Sequence, residues 1–274
     1  MRSSYRDRLL KTLLLLLLAA FALFPLLWML SVSLMAPGEA SRFPPPLLPD
    51  KPGLSAYRAL FETTGISRYF VNSLIVSVIG TALSLAFNAT AGYAFAKLRF
   101  RGRDRIFQLL LAALVIPAQV TMLPLFLMLK EIGLINTFAG VLVPVTASIF
   151  GIFLVRQYAL SIPDELLEAA RVDGASEGRI FLQIVVPVLT PILITLGLFT
   201  FLGVWNDFMW PLIILTDQNL YTLPVALAAL SREHVQDNEL MMAGSVLTVL
   251  PVLLLFLVLQ RYYLQGLLAG SVKG

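Results

Sequence analysis

Long apolar runs alternate along the chain with short polar, charged or proline-bearing segments, and the runs exceed what the core helices of a soluble domain would need. Six stand out, at residues 13–35, 69–96, 106–129, 137–155, 188–215 and 240–259. Each comes near the ~20 residues a helix needs to cross a bilayer, which predicts an all-α membrane protein of six transmembrane helices forming one transmembrane domain over 1–274. Pro117 and Pro124 lie inside the third run and predict a kinked helix there. The first run follows a basic tail, Arg2, Arg6, Arg8 and Lys11, and outlasts a secretory apolar region of roughly 7–15 residues, so it reads as an uncleaved signal anchor. Residues 36–68 open with APGEASRFPPPLLPDKPG and predict a loop outside that first span.

The interruption at 156–187 has turn chemistry of its own. Pro163 suits a first helical turn, Ser161 and Asp164 are available as caps, and Gly174 supplies a left-handed stop. Ser176 can cap a second helix, in which Phe181, Ile184 and Val185 share a face and which runs into Pro187. A helix, a turn and a helix at the membrane surface are expected. Glu168 and Arg171 flank the small Ala169 and Ala170, so the segment is either a ridge on which another protein docks or an ordinary connection.

Charge asymmetry orients the chain. Of the 20 Lys and Arg residues, fourteen fall on the N-terminal side of a six-span arrangement, placing both termini and the 156–187 segment in the cytoplasm. That segment is nevertheless net acidic, with Asp164, Glu165, Glu168, Asp173 and Glu177 against Arg156, Arg171 and Arg179. Anionic headgroups favour basic loops, so an acidic one suits a protein partner. Composition agrees with a membrane protein, at 58% hydrophobic and 13% charged residues where soluble domains carry about 25% charged. The chain has no Cys, which excludes disulfides and thiol chemistry, and its single His234 cannot build a metal cluster. The basic residues sit in separate loops and form no nucleic-acid patch.

Neither a phosphate-binding loop nor a zinc-hydrolase motif occurs: the C-terminal AGSVKG lacks the spacing of the first, and there is no HExxH pair. A stand-alone secondary transporter or channel would need ion-coupling carboxylates in several spans, whereas only Asp207 qualifies, and a membrane enzyme would need a nucleophile with its base. The costly polar residues inside the runs are Asn72, Asn88, Gln119, Asn206 and Asp207. Asp207, in VWNDFMWPL, either faces a watery path where Trp205 and Trp210 offer apolar faces to a hydroxylated solute, or joins those tryptophans in an interfacial belt. Asn72 and Asn88 either line the same path or bond between helices. Gly80 with Ser84, and Gly92 with nearby alanines, signal close helix packing.

The segment Glu168, Ala169, Ala170, then Gly174, then Ile184, Val186 and Pro187 resembles the EAA loop of ABC importer permeases, with Val186 where Leu is usual. NSLIVSVIG, AGYAFAKLRFRG, IPAQVTMLPLF, WNDFMWPLI and QRYYLQGLLAGSVKG extend the resemblance to the smaller, six-span permease of maltose-type carbohydrate importers. It implies a cytoplasmic coupling helix between spans 4 and 5, formed by Glu168, Ala169, Ala170, Arg171, Asp173 and Gly174 and seated in a cleft of an ATPase subunit. It also implies a subunit that hydrolyses nothing itself and holds no cofactor, ATP and Mg being bound by two partner ATPase subunits. A homologous second permease and an extracytoplasmic solute-binding protein complete the implied complex in a prokaryotic cytoplasmic membrane. The loop at 216–239 is expected to reach toward the binding protein, and Gly270, Ser271 and Lys273 in the tail to touch the ATPase pair. A sugar or related polyol is the implied cargo, with a phosphorylated polyol as the alternative.

Overall fold

The structure is a computed structural model that describes residues 5–233 and 237–269, all of whose regular elements are helical. In chain order the helices are α1 (Tyr5–Ser33), α2 (Ser55–Thr63), α3 (Ile66–Lys97), α4 (Arg103–Ala113), α5 (Ala118–Glu131), α6 (Phe138–Thr146), α7 (Ile149–Ala159), α8 (Asp164–Val172), α9 (Glu177–Ile180), α10 (Val186–Trp205), α11 (Met209–Ile214), α12 (Leu223–Glu233) and α13 (Asn238–Ala269). A π-helical turn, Phe181–Val185, joins α9 to α10. Five stretches are long and apolar enough to cross a membrane: Asp7–Ser33, Ile66–Lys97, Phe138–Ala159, Glu177–Trp205 and Asn238–Val258. A sixth forms if α4 and α5 count as one broken span.

Three of the expected spans differ in kind, the one at 137–155 being interrupted between α6 and α7 at Ala147 and Ser148. Across 106–129 the kink becomes a break: α4 and α5 meet at 107°. Pro117 causes it, because it lacks an N–H and bars Ile116 from helical backbone, so the second limb starts only after it. The run at 188–215 is not one helix either. Helix α10 stops at Trp205, and a separate turn and a half follows as α11.

The chain divides into two compact units. The first comprises Met1–Ser67 and Ala226–Pro251. In it the proline-rich loop after α1 is drawn closed by Gly53, whose N–H donates to Leu34 O at 2.9 Å, and by Ser31, whose hydroxyl donates to Leu47 O at 2.7 Å. Glu39, 2% exposed, is its centre. Its carboxylate accepts the N–H of Ala36 at 2.9 Å and of Asp50 at 2.7 Å, while Glu239 accepts the N–H of Ala40 at 2.8 Å. Those backbone donors hold the Glu39 carboxyl below its ordinary value near 4.5, helped by Arg42.

The second unit comprises Arg68–Val225 and Val252–Gly274. Helix α3 is its spine. Gly92 allows α3 to pass against α7, since a Cβ there would lie 2.6 Å from Val155 Cβ. One core, built on Val155, Leu167, Ile180, Val185 and Leu189, underlies the 156–187 segment. A second, around Val76, Val141, Trp210 and Ile214, gathers α3, α6 and α11.

Candidate functional site

Helix α7 ends at Ala159, and the chain then turns back on itself: the Ser161 and Ile162 N–H groups donate to Tyr158 O and Ala159 O. Ser161 is not a cap, as its hydroxyl donates to Tyr158 O at 2.7 Å, and Pro163 takes the N-cap position instead. Helix α8 starts with Asp164 and Glu165 and ends near Arg171, each charge at the helix end whose dipole it complements. Leu167 faces inward at 1% exposure with half-buried Ala170 beside it. Leu166, Glu168, Ala169, Val172 and Asp173 remain exposed, Val172 at 88%.

The stop at Gly174 is as expected. Its φ is +81°, the Gly174 N–H donates to Arg171 O, and the Ala175 N–H donates to Ala170 O, the paired bonds of a Schellman motif. A Cβ would meet nothing within 4 Å, so the backbone angle alone calls for glycine. Ser176 then caps α9 by accepting the Arg179 N–H. The π turn that follows precedes Pro187, whose missing N–H leaves the regular helical ladder incomplete there.

Three side chains fix α8 to its surroundings. Lys97, whose side chain is 7% exposed, donates to Ile162 O at 2.6 Å and to Asp164 Oδ1 at 2.7 Å. Arg171 Nε donates to Glu177 Oε1 at 2.6 Å, and the Tyr93 hydroxyl donates to Glu177 Oε2 at 3.1 Å. Lys97 holds the Asp164 carboxyl below the usual carboxylate range, with Arg99 and Arg171 adding to the effect, and Glu177 raises Arg171. A cleft of about 860 Å³ opens between the α3–α4 turn and α8, with Arg99 and Arg103 on one wall and Asp164, Glu168 and Arg171 on the other. Before folding, only their spacing, four residues apart on one helical face, hints at the Tyr93 and Lys97 contacts.

The polar residues of the spans are placed differently from one another. Asn72 donates to Asn219 O and Tyr221 O at 2.9 and 3.0 Å, tying α3 to the turn before α12. Asn88, fully buried, donates to Ser84 Oγ and accepts the Ser148 N–H at 3.0 Å, filling the break between α6 and α7. Both amides are buried and bonded between elements. Trp205 is 1% exposed, edge-on to Phe70 and stacked on Phe201, while Trp210 is 5% exposed and donates to Gly140 O. Neither tryptophan forms an interfacial belt; both are core. Asn206 is exposed, and half-buried Asp207 accepts the Trp210 N–H at the start of α11. Gly270, Ser271 and Lys273 lie outside the described residues. Among the described residues, no three His, Asp or Glu side chains converge to hold a metal ion.

Residues 88–268 match the family described as the binding-protein-dependent transport system inner membrane component. The chain belongs to this family. It is therefore a multi-pass inner-membrane permease subunit of an ABC importer. Permease AraQ of the arabinooligosaccharides transport system of Halalkalibacterium halodurans is 37% identical over 94% of this chain and 93% of its own length. LacG, a lactose transport system permease of Rhizobium radiobacter, is 36% identical over 78% of each chain. The permease also superposes on a chain of a bacterial ABC transporter that imports the acidic polysaccharide alginate, with a TM-score of 0.84 and 26% identity over 96% of this chain and 98% of the other. A chain of the alginate transporter crystallised with its alginate pentasaccharide-bound periplasmic protein shares the fold, with a TM-score of 0.66 at 16% identity over 94% and 96% of the two chains.

Proposed function

We propose that the permease carries a sugar or related polyol, and that α8 is the coupling helix through which an ATPase subunit drives it. The observation that carries this reading is the division of α8 into two faces. Leu167 anchors it in the core, while Leu166, Val172 and Glu168 stand outward, apolar surface beside a charge and uncovered by the chain. A helix held so firmly on one side and bare on the other can pass a push from a docked partner into the membrane bundle. The permease hydrolyses nothing in this scheme. Two ATPase subunits bind ATP and Mg, a second homologous permease supplies the other half of the path, and a solute-binding protein delivers cargo on the far side. The 156–187 segment and both termini are then cytoplasmic, as the basic residues favour.

Relatives named for arabinooligosaccharides, lactose and melibiose, raffinose and stachyose favour a sugar cargo. Among the described residues the charged ones buried as a whole are Glu39 and Glu239, and the sheltered Lys97 is already engaged by Ile162 O and Asp164, whereas a phosphorylated polyol would want a buried cation turned to the solute. The path proposal narrows to Asn206 and Asp207, whose polar groups are not shut into the core.

Glu168→Lys tests the docking. The variant is expected to insert normally but to lose its ATPase subunit on purification, with uptake falling at least about tenfold; retained ATPase and normal uptake would refute the coupling role. Asp207→Ala is expected to change uptake while leaving basal ATPase activity intact, and unaltered transport kinetics would remove Asp207 from the path.

A further inference from the structure

Tyr93 and Lys97 project from one face of α3, one turn apart, and both reach the α8 segment. Lys97 grips its entry through Ile162 O at 2.6 Å and Asp164 Oδ1 at 2.7 Å, with Leu160 O at 3.5 Å as a third acceptor. Tyr93 grips its exit through Glu177, the same carboxylate that holds Arg171 in the last turn of α8. The coupling segment is thus bracketed at both ends by one helix.

We propose that Tyr93 and Lys97 are positioning residues that make α3 and α8 move as one body, so that displacement of α8 by the ATPase is delivered directly to α3. This rests on the reading of α8 as the ATPase contact. The grip is suited to the task because the Lys97 side chain is only 7% exposed and its ammonium bonds to both a main-chain carbonyl and a carboxylate, so leaving these acceptors would cost it two charge-assisted bonds. Asp164 is 72% exposed, which makes the carbonyl of Ile162 the sheltered anchor of the pair. Leu167 fills the space between the two staples within the same core as Tyr93 and Ala96.

The covalent continuation of the segment is a poorer lever. It enters α10 through a π turn followed by Pro187 and Pro191, where backbone bonds are missing. Helix α3 contains no proline over its 32 residues, about 48 Å of rod. That rod carries Asn88, bonded at the α6–α7 break, and Asn72, bonded to the turn at 218–220. A movement received at Lys97 is therefore presented both to the α6–α7 break and to the opposite end of the unit.

The test uses the complete importer in proteoliposomes, with its solute-binding protein, and reads substrate taken up per ATP hydrolysed. Lys97→Met, which keeps the aliphatic stem, combined with Tyr93→Phe is expected to retain the ATPase and basal hydrolysis but to lower that ratio at least about fivefold. Lys97→Arg should restore most of it. A wild-type ratio in the double variant overturns the proposal, and so does a fall in assembled complex with the ratio unchanged, which marks a purely structural role. If the double variant fails to assemble, Tyr93→Phe alone, which deletes one oxygen atom, decides on the same ratio. Failure of the docking reading would show separately, as a Glu168→Lys complex that keeps its ATPase.

Discussion

The loop at 34–54 and the segment at 156–187 both interrupt apolar runs, yet they are held by opposite means. In the first, a buried carboxylate gathers backbone N–H groups: Glu39 serves Ala36 and Asp50 and leaves little of itself exposed. In the second, side chains of α3 do the holding, Lys97 at the entry and Tyr93, through the Glu177 carboxylate that also pairs with Arg171, at the exit. The first arrangement turns polar groups inward and fixes a shape. The second fixes a helix at its edges and leaves Leu166, Val172 and Glu168 for something else to cover. In the proposed docking, Val172, 88% exposed on a helix whose opposite side is anchored, belongs to the face the partner covers.

The sharpest way to break this contrast is to treat the two faces of α8 separately. Leu167→Ala removes a fully buried side chain and should cost the protein about 2–5 kcal/mol, read as a lowered thermal unfolding midpoint of the detergent-solubilised complex. Leu166→Ala, on the outward face, should leave that midpoint within about 0.5 kcal/mol of wild type and weaken only retention of the ATPase. Equal thermal losses in the two variants would mean that α8 has no free face.

Much of this site was legible in the sequence because it rests on local chemistry. Gly174 as a left-handed stop and Ser176 as a cap follow from what those residues do to their own backbone, and the structure places both as expected. What remained hidden depends on distance along the chain. Nothing near Lys97 in sequence announces that Ile162 O lies 2.6 Å from its ammonium, and the basic residues after α3 had a sufficient explanation in membrane orientation. Apolar periodicity likewise gave the spans but not their interruptions: a run that turns apolar again straight after Asn206 and Asp207 conceals the helix end at Trp205, since hydropathy averaged along a run does not report hydrogen bonding. Trp205 misled for the same reason, a ring suited to an interface being equally suited to a core between Phe70 and Phe201.

A smaller effect separates backbone geometry from packing at the turn. Gly174→Val places a β-branched residue at φ +81° with no steric neighbour within 4 Å, so its cost should be conformational alone, about 1–2 kcal/mol. Gly174→Asn tolerates that region better and should recover most of the loss. Measured midpoints of the two variants, together with ATPase retention, check the assignment. If Asn proves as harmful as Val, something other than the left-handed angle requires glycine.

The smallest expected effect concerns the other region and tests whether its carboxylate is the organiser. Because the backbone donors depress Glu39 in the folded loop, its stabilising contribution is complete above the ordinary value near 4.5 and is lost as pH falls through the lower folded value. Arg42 and Asp50, paired at 3.1 Å on the surface, and Glu239, bonded to the Ala40 N–H, face the same loop. Glu39→Gln isolates the Glu39 share: one amide oxygen replaces two carboxylate oxygens, so either the Ala36 or the Asp50 N–H loses its acceptor. Hydrogen exchange across 34–54, followed from neutral pH into acid and corrected for intrinsic rates, should show faster opening in Glu39→Gln at neutral pH and convergence with the wild type in acid. Protection that is identical in the two proteins across that range would make the loop a product of its prolines and its Leu34 and Leu47 closures, with Glu39 a passenger.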